Sequence, residues 1–155
     1  MELNNARQLA NELIRTYNLD YRFEFDNSKR RFGCCSPWRR CITLSAPLTL
    51  LNDEAHVKGT ILHEIAHVLA YKKTGFCAHD KAFYNACLLV GSTPQRCYGE
   101  EVISPEGKYK SNPCGGCGHV FTKFRKVWRR RFCLKCYKDT GIKHFIEYRL
   151  NDNNI

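Results

Sequence analysis

Acid is almost missing from the C-terminal third of this chain. Between Lys108 and Arg149 there are twelve Lys and Arg but only two carboxylates, Asp139 and Glu147. That stretch therefore holds the whole net charge of +10 in a protein of 155 residues, and the remainder is neutral. A charge so one-sided points to a polyanionic partner, most often nucleic acid. Long apolar runs are also missing, as is an amphipathic basic helix of convincing length, so no membrane partner is expected. The N-terminus lacks the charged-then-apolar build of an export signal. An intracellular protein is expected, of cytoplasm or nucleoid, or of the nucleus in a eukaryotic host. Ten cysteines would suggest a disulfide scaffold in a secreted chain. Without an export signal, and with four of them in C-x-x-C pairs, metal binding is the better reading.

What is present centres on Ile61-Leu62-His63-Glu64-Ile65-Ala66-His67. On a helix, residues four apart lie about 40° from eclipsed, so His63 and His67 share a face one turn apart. Two imidazoles so placed can share one Zn²⁺, and Glu64 projects beside them. There its carboxylate can act as general base on a water that the metal acidifies. By chance, H-E-x-x-H arises in about one chain in a hundred of this composition. The plainer alternative is a buried helix with two satisfied histidines. Leu62, Ile65, Ala66, Val68, Leu69 and Ala70 make the helix apolar on most sides, as suits a core helix carrying a site.

A catalytic zinc needs a third protein ligand and one open position. The position six past His67, a histidine in one large zincin group, is Lys73, which excludes that group. Glu100 or Glu101 could serve as in glutamate-ligand zincins. His79 is favoured over both: the chain from the helix end can return it to the metal, and it opens another helix, Asp80 to about Val90. Cys77 could compete, but a thiolate would favour a closed structural site.

The rest of the N-terminal part reads as α+β. Leu3, Ala6, Leu9, Ala10, Leu13, Ile14 and Tyr17 recur at helical steps over 2–17. Residues 21–25, 31–35 and 41–45 read as short strands, and three in a row without helices between them favour an antiparallel sheet. Residues 46–51 suggest a short helix. The main helix can be capped by Asn52 or Asp53 and closed by Gly75. Cys34, Cys35 and Cys41 have no nearby histidine and no common ligand spacing, so buried reduced thiols are expected. Cys87 and Cys97 read as plain thiols, and 97–110 as a linker.

Cys114-Gly115-Gly116-Cys117 and Cys133-Leu134-Lys135-Cys136 are fifteen residues apart, within the range of a four-cysteine structural zinc site. Two pairs at this spacing make a redox role improbable. Between them Lys123, Arg125, Lys126, Arg129, Arg130 and Arg131 interleave with aromatics that include Trp128. That composition suits a surface that pairs phosphates and stacks exposed bases. The alternative is a ribbon that hides its aromatics in a thin core while lysines keep it soluble.

Taken together, Phe25-Asp26-Asn27-Ser28-Lys29-Arg30-Arg31-Phe32-Gly33-Cys34-Cys35, Ile42-Thr43-Leu44-Ser45, Leu62-His63-Glu64-Ile65-Ala66-His67 and His79-Asp80-Lys81-Ala82-Phe83 resemble the SprT-like metalloprotease domain. That family includes a DNA-dependent protease of DNA–protein crosslink repair, and it commonly adds a C-terminal zinc ribbon. The resemblance spans roughly residues 5–150. It implies a catalytic Zn²⁺ on His63, His67 and His79, with Glu64 as general base. Many members have His-Gly where this chain has His79-Asp80, and no counterpart of the crosslink-repair member's long tail of partner motifs is expected.

The expectation is an α+β zincin-type core, a short antiparallel sheet plus helices, over 1–106. A zinc ribbon follows over 107–150, then a frayed tail over 151–155. One catalytic and one structural Zn²⁺ are expected. The expected activity is zinc-dependent endopeptidase action on DNA-bound or DNA-crosslinked proteins. Single-stranded or junction-containing DNA is favoured over plain duplex. A regulatory metallopeptidase acting without DNA and a non-catalytic zinc-dependent nucleic-acid binder are the rivals. Retention of Glu64 beside both histidines argues against the second.

Overall fold

Helix α1 (Leu3–Thr16) forms where Ala6, Ala10 and Ile14 recur every four residues, and these three make its buried face. The computed structural model describes residues 1–94 and 102–151. The chain divides into two compact units, Met1–Pro105 and Glu106–Ile155.

In the first unit α1 is followed by β1 (Arg22–Asp26), β2 (Gly33–Ser36) and β3 (Cys41–Ser45). Their order is β1-β3-β2. β2 and β3 run antiparallel, Gly33 opposite Leu44 and Ser36 opposite Cys41, but β1 runs parallel to β3, Arg22 opposite Cys41 and Asp26 opposite Ser45. The sheet is therefore mixed, which corrects the expected antiparallel one. A tight turn over 37–40 folds β3 back beside β2. Residues 27–32 span two strand spacings, about 10 Å, so β3 fits between β1 and β2. Asp26 secures that crossing, accepting from the Thr43 hydroxyl at 3.0 Å and from the Ser28 amide at 2.8 Å. Which face of a strand is buried follows from its residue pattern; which neighbour it takes depends on such connections.

Ser45 then caps α2 (Ala46–Leu51), its hydroxyl accepting from the Leu48 amide at 3.2 Å. Asp53 caps α3 (Glu54–Thr74) through the His56 amide at 2.9 Å. The macrodipole of α3 is complemented by Glu54 in its first turn and Lys72 and Lys73 in its last. Val57, Ile61, Leu62, Ile65, Ala66, Val68 and Ala70 are all buried, so α3 is apolar nearly all round. Such a helix has to be wrapped. Its neighbours are α1, β2, β3 and α4 (Lys81–Val90). Of the three thiols expected to be buried, Cys41 is; Cys34 and Cys35 are only half-buried.

In the second unit β4 (Tyr109–Ser111) lies between β5 (Thr122–Lys123) and β8 (Tyr148–Leu150), antiparallel to both. β6 (Arg131–Phe132) pairs with β7 (Phe145–Ile146). Between these two strands lies α5 (Leu134–Thr140), a helix that the sequence reading did not foresee. The core of this unit is small: Cys114, Cys133, Cys136 and Ile146, with Phe121 and Tyr148 packed against them. Asn151, expected in the frayed tail, is buried instead and donates to Glu106 at 2.9 Å and to the Gly107 carbonyl at 3.2 Å. Among the described residues, no helix is long and apolar enough to cross a membrane.

Asn52 ties the end of α2 to the backbone of Ile103 within the first unit. Its side chain donates to the Leu48 and Ile103 carbonyls and accepts from the Ile103 amide, each at 2.8 Å, and it is 4% exposed. Replacing it by Ala strands partners that cannot all reach water, so Asn52→Ala is expected to cost about 1–3 kcal/mol. A urea titration of the full chain at saturating zinc checks this; an unchanged midpoint would show the tie to be dispensable.

Candidate active site and metal centres

The site is assembled from one helix and one return loop. α3 supplies His63, Glu64 and His67. Gly75 ends the helix in the left-handed region (φ 76°), its amide bonded to the Tyr71 carbonyl at 2.8 Å. Residues with a Cβ resist that conformation, and glycine lets the chain double back sharply. His79 then sits immediately before Asp80, whose carboxylate caps α4 by accepting from the Phe83 amide at 3.0 Å.

The result brings the three sequence-derived histidines together. One nitrogen from each of His63, His67 and His79 lies within 4.8 Å of the others. Their ring centroids are 4.7–5.6 Å apart. Phe83 backs all three, stacked on His67 at 4.2 Å and edge-on to His63 and His79 at 5.0 and 4.7 Å. Phe83 went unassigned in the sequence reading, and the available signal was its place one helical turn beyond His79.

Burial sets the electrostatics. It depresses His63 and pushes His67 down to about 4, with neighbouring imidazoles adding to the effect. Both rings are therefore neutral near pH 7, the form that binds metal. Among the described residues, the Nδ1 atoms of both are buried without a hydrogen-bond partner. Orphaned buried nitrogens are costly, and a cation shared by the rings would give each ring a partner. Burial likewise pushes the Glu64 carboxyl up to about 7, opposed by the Cys35 backbone amide and by Arg31.

Glu64 is also clamped sterically. A Cβ at Gly33 would come within 2.7 Å of both Glu64 Oε1 and Thr60 Cγ2, so the backbone of β2 lies directly on the carboxyl. Glu64 and the three histidines line one cleft of about 550 Å³, together with Arg31, Cys35 and Cys77. Arg31 is held there by Asp26 at 2.7 Å. Cys77 lies against the Cys35 thiol and outside the imidazole cluster. Glu100, Glu101 and Cys97 fall outside the described residues.

The second donor set is Cys114, Cys117, Cys133 and Cys136, whose sulfurs all lie within 4.8 Å of one another. Cys114 and Cys136 are 3.7 Å apart, Cys117 and Cys133 3.8 Å. The Cys117 and Gly116 amides aim at the Cys114 sulfur and hold its thiol well below the usual range. Four sulfurs with amide support fit a structural zinc site, and three imidazoles beside a carboxylate fit a catalytic one. The His119 ring packs on Phe121 at 4.5 Å.

The residues expected to meet nucleic acid lie in and between β5 and β6. Lys123 is half-buried on β5, while Arg125, Lys126, Trp128, Arg129, Arg130 and Arg131 are exposed. Trp128 is 82% exposed, with the Lys126 ammonium 4.2 Å from its ring centre.

Two separate donor sets predict two zinc ions per chain. His79→Ala is expected to lose one and keep the other, and Cys133→Ser to do the reverse, as measured by metal analysis after dialysis. Retention of both ions at normal affinity by His79→Ala would move the third-ligand role to Glu100 or Glu101.

The model of the SprT-like family matches residues 3–101. No curated protein matches the chain. Among solved structures, the metallopeptidase zymogen of Methanocaldococcus jannaschii jannalysin is similar at 20% identity and a TM-score of 0.43, covering 53% of this chain and 77% of that one. The metallopeptidase zymogen of Pyrococcus abyssi abylysin is similar at 19% identity and a TM-score of 0.41, covering 55% and 75%. The family match decides membership, for it takes in β1, β2, β3, the H-E-x-x-H of α3 and His79 alike: the chain belongs to the SprT-like family.

Proposed function

We propose that this protein is a zinc-dependent endopeptidase that acts on proteins held on nucleic acid. The observation that carries the proposal is Glu64, a buried carboxyl sharing one cleft with three imidazoles whose nitrogens converge. Bound by His63, His67 and His79, zinc would polarise a peptide carbonyl and acidify a water. Glu64 is positioned to take the proton of that water and to return it to the departing amine. Burial raises the proton affinity of this carboxyl, which favours its acting as the base that accepts that proton. The Cys35 amide and the close approach of Gly33 fix its orientation.

The nucleic-acid half rests on the second unit. Lys126, Arg129, Arg130 and Arg131 form no ion pair with a carboxylate among the described residues. The alternative of aromatics hidden in a thin core applies to Phe121 and Tyr148, which pack on the cysteines. It does not apply to Trp128, which is exposed. Unpaired cations beside an exposed indole suit a strand with free phosphates and bases. Binding and hydrolysis are then divided between the two units. Crosslinked proteins are the substrates that such a division serves best, because their nucleic acid tethers them to the chain that carries the cleft.

Two outcomes test this. Glu64→Gln keeps the size of the side chain and removes the base, so a folded, zinc-loaded protein with activity reduced at least about 10²-fold is expected. Wild-type proteolysis in that variant would sink the mechanism. For binding, neutralising about four phosphates gives a slope near −3 in log affinity for single strands against log salt. Replacing Arg129, Arg130 and Arg131 by Ala is expected to flatten that slope and abolish stimulation by DNA, while basal cleavage of an unfolded peptide persists. Specific cleavage of a partner with no effect of DNA would favour a regulatory metallopeptidase instead.

A further inference from the structure

The β6–β7 ribbon carries a second cluster of rings and cations, apart from Trp128. Phe132 and Phe145 are directly opposed across the two strands. Their neighbour Ile146 is buried against the cysteines. Alternation along a strand therefore turns Phe132 and Phe145 to the other face, away from the zinc core. Tyr137, from α5, closes the group edge-on to Phe132 at 5.2 Å. Phe145 is 43% exposed and Tyr137 40%, and none of the three rings belongs to the core of this unit.

Two cations attend these rings. The Arg130 guanidinium lies 4.3 Å from the centre of Phe145, and the Lys143 ammonium 5.6 Å from both Phe132 and Tyr137. Neither cation pairs with a carboxylate among the described residues. A ribbon this small gains little by exposing aromatic faces, and cation–π contact alone does not require three of them. Flat rings, a guanidinium plane and unneutralised charge are together what a nucleobase and its phosphate recognise.

We propose that Phe132, Tyr137 and Phe145, flanked by Arg130 and Lys143, form a second base-stacking station for single-stranded nucleic acid, additional to Trp128 and Lys126. The inference rests on the nucleic-acid reading above and deepens it. Charge complementarity selects the occupant: a duplex offers phosphates but keeps its bases stacked inside, whereas a single strand offers both. Two stations also explain why the rings are split between β6–β7 with α5 and the preceding loop instead of being gathered at one spot.

The test measures affinity of the full-length, zinc-loaded protein for an oligothymidylate of about 20 nucleotides, with heparin as a polyanion lacking bases. Phe145→Leu keeps apolar bulk but loses the flat face. It and Tyr137→Leu are each expected to weaken oligothymidylate binding about fivefold or more, with the salt slope and heparin affinity unchanged. Phe145→Trp is expected to retain wild-type affinity. Equal weakening toward heparin would mean that the rings only position cations, which overturns the station. So would unchanged affinity in both Leu variants alongside a loss in Trp128→Ala, leaving the broader nucleic-acid reading intact. Failure of the wild-type protein to bind oligothymidylate at all would sink that broader reading. If Phe145→Leu loses its ribbon zinc, Tyr137→Leu on α5 decides.

Discussion

Convergence of three imidazoles on one point is the constraint that the first unit serves. A helix can offer two of them, one turn apart, but the third has to come from chain that reverses direction. In this protein the reversal is made by Gly75 in a left-handed conformation, and the returning residue is immobilised by the cap that Asp80 places on α4. Phe83, from the first turn of α4, then presses on all three rings. Helix ending, loop, helix start and backing ring thus form one device, and a fault in any of them would separate His79 from its partners.

The same packing governs protonation. Removing imidazole and carboxyl groups from water favours their neutral forms, so His63 and His67 become weak bases and Glu64 a weak acid. A dication reverses the preference for the carboxylate while leaving the imidazoles neutral. β2 adds the steric half of the arrangement. At Gly33 it approaches the carboxyl so closely that no side chain fits between them, and its Cys35 amide supplies a donor. The crossing of residues 27–32, secured by Asp26, is what brings β2 to that position.

The second unit answers a different need. Its core is three cysteines, one isoleucine and two partly buried rings, too little apolar area to order a chain of this length without a metal crosslink. A metal held by the thiolates would supply that order, and the remaining aromatics would then not need to be inside. That freedom is visible in Trp128 and in the Phe132–Tyr137–Phe145 group, all outside the core and all attended by cations.

Which donor groups are present, and most of the local structure, is legible in the sequence. Spacing alone put His63 and His67 on one face with Glu64 beside them, grouped the four cysteines, confined the positive charge to the last third, and marked Asn52 or Asp53 and Gly75 as the ends of α3. These features follow from periodicity and backbone preference, which act over a few residues. Tertiary structure decided what depends on residues distant in the chain. The parallel pairing of β1 with β3 was one such outcome, since a residue pattern records the buried face of a strand and not its neighbour. The contact of Gly33 with Glu64, the backing of the histidines by Phe83 and the outward turn of Phe145 were others. Each is a matter of which surfaces meet once the chain is closed, and only packing in three dimensions specifies that.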